Sequence, residues 1–301
     1  MSEAIRTEAL AKRYRGVRAL DGVSLQVPEG AIYALVGPNG AGKTTAIKIL
    51  VNLLSATSGS AEVLGMNSKK IRGEAYTGIG YVSENQEIPD GMRVGKLLEY
   101  LREFYPAWDS TLESSLLKEF DLSHAQRIKQ LSRGMKMKLA LASALAFHPK
   151  LIVLDEPFGG LDPLVRDQLI EGLLERAAEA TIFLSSHDLA EIESFASHVG
   201  YLEQGKLRFS EEMTSLLARF REVELTFESE PSLPQRLPQS WLQVKAAASI
   251  VRFVDSTFDV QKTDEEIRHL FVSVRGVVYR HMSLRAIFLA IAKHVDGNKE
   301  T

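Results

Sequence analysis

The stretch from Ala31 to Thr44 limits what this chain can fold into more than any other. Ala31 to Val36 is an unbroken apolar run closed by glycine, the pattern of a strand buried on both faces. Gly37-Pro38-Asn39-Gly40-Ala41-Gly42-Lys43-Thr44 follows it, and helical periodicity starts at Lys43 and runs through Ile47, Leu50, Leu53 and Leu54. Strand, glycine-rich loop and helix in that order open an α/β sheet. The loop fits G-x-x-x-x-G-K-[ST] at every fixed position. Glycines let backbone N–H groups close around a phosphate chain without side-chain clash. The helix N-terminus turns its partial positive charge toward the same anion. Lys43 is spaced to reach the terminal phosphates, and Thr44 to offer its hydroxyl to Mg2+. Gly37, Asn39, Gly40, Ala41, Gly42, Lys43, Thr44 and Thr45 are the candidate nucleotide-binding residues.

A second motif supports the first. Leu151-Ile152-Val153-Leu154 is a buried-strand run that ends in Asp155-Glu156-Pro157. A strand terminating in aspartate delivers a carboxylate to the sheet edge, where Mg2+ would sit beside Thr44. Glu156 points elsewhere and suits a general base that polarises the attacking water. Thr181 to Ser185 reads as another buried strand, and Val94–Phe104 and Arg133–Phe147 carry helical spacing. Strands alternating with helices from residue 31 to about residue 200 predict a mostly parallel sheet covered by helices.

The two ends read differently. The first 30 residues alternate apolar and polar positions between Asp21-Gly22 and Pro28-Glu29-Gly30, which predicts short antiparallel strands joined by turns. After about Arg219 the texture changes. Val223–Phe227, Ile250–Val260 and Leu270–Val274 read as strands, Pro231, Pro234 and Pro238 as an extended linker, and Ser283–Val295 as an amphipathic helix with Ser283 at its N-cap. No catalytic motif stands in this region. The expected division is a nucleotide-binding domain over residues 1–218 and a small α+β accessory domain over 219–301.

Composition narrows the function. With 36 Lys+Arg against 39 Asp+Glu, the formal charge of −3 argues against a basic nucleic-acid binder. The absence of cysteine excludes disulfides, a thiol nucleophile and thiolate metal sites. No apolar run approaches the length of a membrane span, and MSEAIRTEAL lacks the apolar core of a secretory signal. A cytoplasmic protein is the expectation.

Further motifs, taken in order with the two above, carry a resemblance. Lys12-Arg13-Tyr14 precedes the glycine loop, Leu131-Ser132-Arg133-Gly134-Met135-Lys136 opens a helix, Gly159-Gly160-Leu161-Asp162 follows the paired acids, and Ser185-Ser186-His187-Asp188 closes the next strand. Over about residues 3–218 the chain resembles the nucleotide-binding subunit of ABC transporters. The resemblance implies a P-loop NTPase fold of ABC type, with a mostly parallel sheet, an antiparallel β subdomain and a helical subdomain. It implies that Tyr14 stacks on adenine and that His187 contacts the γ-phosphate. Two such domains would dimerise head to tail around ATP and Mg2+, Ser132 and Gly134 of one reaching the γ-phosphate held by the other, with Asp162 in the D-loop. Departures are visible. Arg133 and Met135 replace the second glycine and the glutamine of the usual LSGGQ, and Arg133 requires a negative φ. Glu84, in Ile79-Gly80-Tyr81-Val82-Ser83-Glu84-Asn85-Gln86, stands where the family has a Mg2+-contacting glutamine, and a two-residue shift would put Gln86 there. With Phe104-Tyr105-Pro106-Ala107-Trp108-Asp109, these departures resemble ATPase subunits of bacterial exporters in the bacitracin and acetoin groups.

The implied protein works on the inner face of the cell membrane with an integral-membrane permease and with a second copy of itself or a paralogue. A few exposed residues around Leu97 to Phe104 are expected to face the permease, and no nucleic acid is expected as partner. A soluble ABC ATPase acting on ribosomes or DNA is the competing reading. It is disfavoured by the single phosphate loop and the lack of cysteines or a long heptad run. A kinase or GTPase is disfavoured by the 131–136 segment, by His187 and by the absence of N-K-x-D.

Overall fold

The computed structural model describes residues 2–84 and 86–297. Two compact units form. One is built from the chain up to Asp188 together with Phe195–Ser210, the other from Leu189–Ser194 together with the chain from Glu211 onward.

The first unit begins with β1 (Glu3–Tyr14), β2 (Val17–Pro28), β3 (Ile32–Val36), α1 (Lys43–Leu50), β4 (Ser58–Val63), β5 (Met66–Asn67) and β6 (Ile79–Ser83). Helices α2 (Val94–Arg102), α3 (Ser110–Glu119) and α4 (Arg133–Leu145) follow, then β7 (Leu151–Asp155), α5 (Pro163–Arg176) and β8 (Thr181–Ser186). The chain continues through α6 (Leu189–Glu193), β9 (His198–Glu203) and β10 (Lys206–Glu212).

The alternating N-terminal segment forms two long strands of 12 residues each rather than several short ones. Bulges let a single hairpin absorb what looked like breaks. Between Thr7 and Leu10 the β1–β2 register slips, with Ala9 at φ 44°. The buried Thr7 hydroxyl repairs the gap, donating to Val23 O at 3.0 Å and accepting from Leu25 N–H at 2.9 Å. This antiparallel sheet has the order β2-β1-β4-β5.

The main sheet has the order β10-β9-β3-β8-β7-β6. The strands β9, β3, β8, β7 and β6 run parallel. Every residue of β3, β7 and β8 is buried, as continuous apolar runs require of strands covered on both faces. Register then fixes the chemistry at one sheet edge: Asp155 pairs with Ser185 on one side and Ser83 on the other. Tyr33 stacks on Phe183 with centroids 5.5 Å apart, and burial drives its phenol pKa upward.

Glu113 ties the helical region together. It is 3% exposed, and its carboxylate accepts from Arg102 Nη2 at 2.9 Å and Trp108 Nε1 at 2.7 Å, with His124 Nε2 at 3.0 Å. Burial works to raise its pKa, but these hydrogen bonds outweigh it and hold the carboxyl below its usual range.

The second unit adds α7 (Met213–Arg219), β11 (Arg221–Phe227), β12 (Trp241–Ala247), β13 (Ile250–Asp255), α8 (Val260–Leu270), β14 (Val274–His281) and α9 (Leu284–Gly297). Its antiparallel sheet has the order β12-β13-β11-β14. Alternating Val223, Leu225 and Phe227 bury one face of β11 in a core with Phe253 and Trp241, whose rings stack at 3.9 Å. The segment 228–240, with its three prolines, contains no helix or strand. Two sequence expectations fail here. Leu270–Val274 is not a strand: Leu270 ends α8, Ser273 turns the chain at φ 62°, and the strand starts only at Val274. Val260 likewise opens α8 rather than closing β13. Asp259 caps this helix by accepting from Lys262 N–H at 3.0 Å, and Ile267 and Phe271 pack inward at helical spacing. Ser283 does cap α9, accepting from Ala286 N–H at 3.3 Å. α6 belongs to this unit, where Glu193 Oε2 accepts from the Leu284 N–H at 2.9 Å.

Candidate active site

The glycine loop leaves β3 and enters α1 where side chains have no room. A Cβ on Gly37 would stand 2.1 Å from Leu202 O. Gly42 adopts φ 110°, and a Cβ there would meet Ala19 O at 2.3 Å. Pro38, Asn39 and Gly40 form an exposed lip, Ala41 packs inward, and Thr45 is half-buried beside Thr44. Lys43, only 5% exposed, curls back over the loop and donates to Gly37 O at 2.6 Å and Pro38 O at 3.3 Å. Its ammonium also lies 3.1 Å from Glu156 Oε1.

The sheet edge supplies the acids. Asp155 Oδ1 accepts from the Thr44 hydroxyl at 3.0 Å and from the Ser185 hydroxyl at 2.7 Å. Ser185 Oγ in turn accepts the Glu156 N–H at 2.9 Å. Glu156 has φ 51°, a conformation unfavourable for a glutamate, and its carboxylate departs from that of Asp155. Its Oε2 meets His187 Nδ1 at 2.7 Å, while Oε1 meets Lys43. Lys43, Thr44, Asp155, Glu156 and His187 thus form one hydrogen-bonded and ion-paired chain. Ser185 is the residue that sequence reasoning passed over. It lies in the quoted Ser185-Ser186-His187-Asp188 segment, and its place beside Asp155 follows from register alone. Thr44 and Asp155 are hard oxygen donors, the set that suits Mg2+ shared with phosphates.

The remaining expected residues contribute no side chain to this chain of contacts. Tyr14 ends β1, half-exposed, with Lys12 Nζ 5.2 Å from its ring centroid. Ser132 is exposed and caps α4 by accepting from Met135 N–H at 3.2 Å. Arg133 is the first residue of that helix, so its φ is negative and the loss of glycine strains nothing. Gly134 is buried, and a Cβ there would press on Val165 at 3.1 Å. Asp162 caps α5, accepting from Val165 N–H at 3.1 Å. The Glu84 carboxylate pairs with Arg133 at 2.5 Å. Glu84, Gln86 and Arg133 all line a cavity of about 230 Å³. On α2, Leu97 and Leu98 are core residues, whereas Tyr100 and the nearby Phe104 are exposed and touch edge to face at 5.1 Å.

A backbone cradle, a buried lysine over it and a carboxylate at the neighbouring strand end define a P-loop nucleoside triphosphatase. Residues 20–159 match the family model described as ABC transporter. The chain is 35% identical over 211 residues to the bacitracin transport ATP-binding protein BcrA of Bacillus licheniformis, covering 69% of each chain. It is 27% identical over 290 residues to the ABC transporter ATP-binding protein YtrB of Bacillus subtilis, covering 95% of this chain and 97% of that one. A solved ATP-binding subunit of an ABC transporter superposes with a TM-score of 0.66 at 27% identity, covering 71% of this chain and 92% of that one. The chain belongs to the ATP-binding subunits of ABC transporters, and its activity is ATP hydrolysis.

Proposed function

We propose that this chain is the motor of a membrane exporter, hydrolysing MgATP as a head-to-tail pair with a second copy or a paralogue and driving a separate permease. The observation that carries the reading is the junction at Glu156, which holds Lys43 on one oxygen and His187 on the other at the end of the strand that presents Asp155. In this reading Lys43 and the loop N–H groups hold the terminal phosphates. Glu156 takes the proton of the attacking water, and His187 steadies the charge that builds on the γ-phosphate. Thr44, Asp155 and Glu84 would hold Mg2+, which neutralises phosphate charge when bound. Tyr14 would stack on adenine, and Ser132, Gly134 and Asp162 would complete the site of the opposite subunit, where an exposed helix N-cap suits an anion.

Residues 1–218 carry the ATPase in this proposal and 219–301 the accessory role. Among the described residues no helix is long and apolar enough to cross a membrane, which supports a separate permease. Such a subunit would work at the inner face of the membrane, with exposed Tyr100 and Phe104 offered to its partner. The relation to BcrA, named for bacitracin transport, supports the exporter assignment. Affinity purification from detergent-solubilised membranes tests it. Recovery of an integral-membrane protein that raises ATP turnover supports the proposal; recovery of ribosomes overturns it.

A further inference from the structure

Two ion pairs join the first turn of α4 to the loop that follows β6. Arg133 Nη2 lies 2.5 Å from Glu84 Oε1, and Lys136 Nζ lies 2.7 Å from Asp90 Oδ1. The pairing answers a local electrostatic problem. The first turn of α4 contains no acid, so Arg133 and Lys136 face the positive end of their own helix macrodipole. Carboxylates from another element offset both cations.

The Glu84–Arg133 pair is closely bounded. A Cβ at Gly160 would stand 2.9 Å from Arg133 Nη1, and a Cβ at Gly159 would stand 3.1 Å from Glu84 Oε1. The Glu84 N–H donates to Asp155 O at 2.9 Å, which anchors the loop to the strand that carries the catalytic acids. One short path therefore runs from Asp155 through Glu84 and Arg133 to the exposed cap at Ser132. Of the three residues that depart from the usual motifs, Glu84 and Arg133 meet.

We propose that Glu84 and Arg133 form an intrachain latch, a matched charge pair that holds the turn at Ser132 to the loop after β6 and opens when cation and phosphate compete for its two halves. Opening rests on the ATPase reading; the latch itself does not. Glu84 is the carboxylate a divalent cation would share with Thr44 and Asp155, so cation and guanidinium are rivals for it. Arg133, once released, is a free guanidinium suited to phosphate. Its side chain is 52% exposed and that of Glu84 35%, so the pair biases the turn without freezing it. Arg133 acts as a positioning residue.

Amide hydrogen exchange on the full chain without nucleotide tests the latch, comparing native protein with Arg133→Gln, Glu84→Gln and the double variant. Each single change should speed exchange of the 86–92 amides by about two- to fivefold, and the double variant should add nothing further. Unchanged exchange in the single variants, or effects that add in the double, overturns the latch. Opening is read from ATP binding titrated with Mg2+. Arg133→Gln should lower the half-maximal Mg2+ concentration by about two- to fivefold, and no change overturns the competition. Native protein that binds no ATP would sink the ATPase reading, while the exchange cycle would still decide the latch.

Discussion

His187 meets Glu156 through Nδ1 and Oε2 at 2.7 Å. A carboxylate in its ionised form only accepts, so this contact calls for the ring proton on Nδ1 and leaves Nε2 toward another partner. The same carboxylate is drawn toward Lys43 by its other oxygen, which places the proposed base between the two groups proposed to meet phosphate.

Glu156→Gln removes the base and retains the shape. ATP binding should persist while phosphate release falls by about 100-fold or more. Native-like steady-state turnover would contradict the general-base role.

His187→Ala should leave ATP affinity within a few-fold of native and reduce kcat by about 100-fold, because its proposed contact strengthens as charge builds on the γ-phosphate. Single-turnover hydrolysis beside equilibrium binding separates the two quantities.

Lys43→Ala should lose nucleotide affinity by about tenfold or more, since it removes the ammonium and leaves Glu156 facing bound phosphate without that cation. Calorimetric titration with MgATP checks it, and unaltered affinity would refute the phosphate-binding role.

Ser185→Ala strips a donor from Asp155 and an acceptor from the Glu156 N–H in one change. We expect a loss of about 1–3 kcal/mol in stability, measured by urea unfolding, together with slower turnover.

Glu113 sets an acid limit. Its folded-state pKa is depressed, so it contributes stability that is fully present above the unfolded value near ~4.3 and is lost as pH falls through the folded value. Glu113→Gln should cost about 2 kcal/mol at pH 7. The difference from native protein should shrink below about pH 4, as read from urea midpoints across pH.

Local pattern made the central elements legible. The runs Ile32–Val36 and Leu151–Asp155 announce fully buried strands because continuous apolarity leaves no solvent face, and the glycine spacing announces the turn between β3 and α1. The C-terminal region was less readable because Leu270 and Phe271 satisfy a helix face and a strand equally well over so short a run. What decided it was the cap at Asp259, eleven residues before Leu270. Within the site, the residue types at Lys43, Thr44, Asp155 and Glu156 declared themselves, but the Ser185 bridge and the Glu84–Arg133 pair arise from strand register and loop closure between distant segments. A linear reading has no access to either.

The cap that Glu193 places on α9 changes what the accessory unit is in inheritance and in engineering. That unit takes its α6 from within the cassette sequence, starting two residues after His187. It is a discontinuous domain, so a stop codon after residue 210 would remove its larger part and strand Leu189–Ser194 in the remaining chain. A domain exchanged between relatives would have to travel in two pieces.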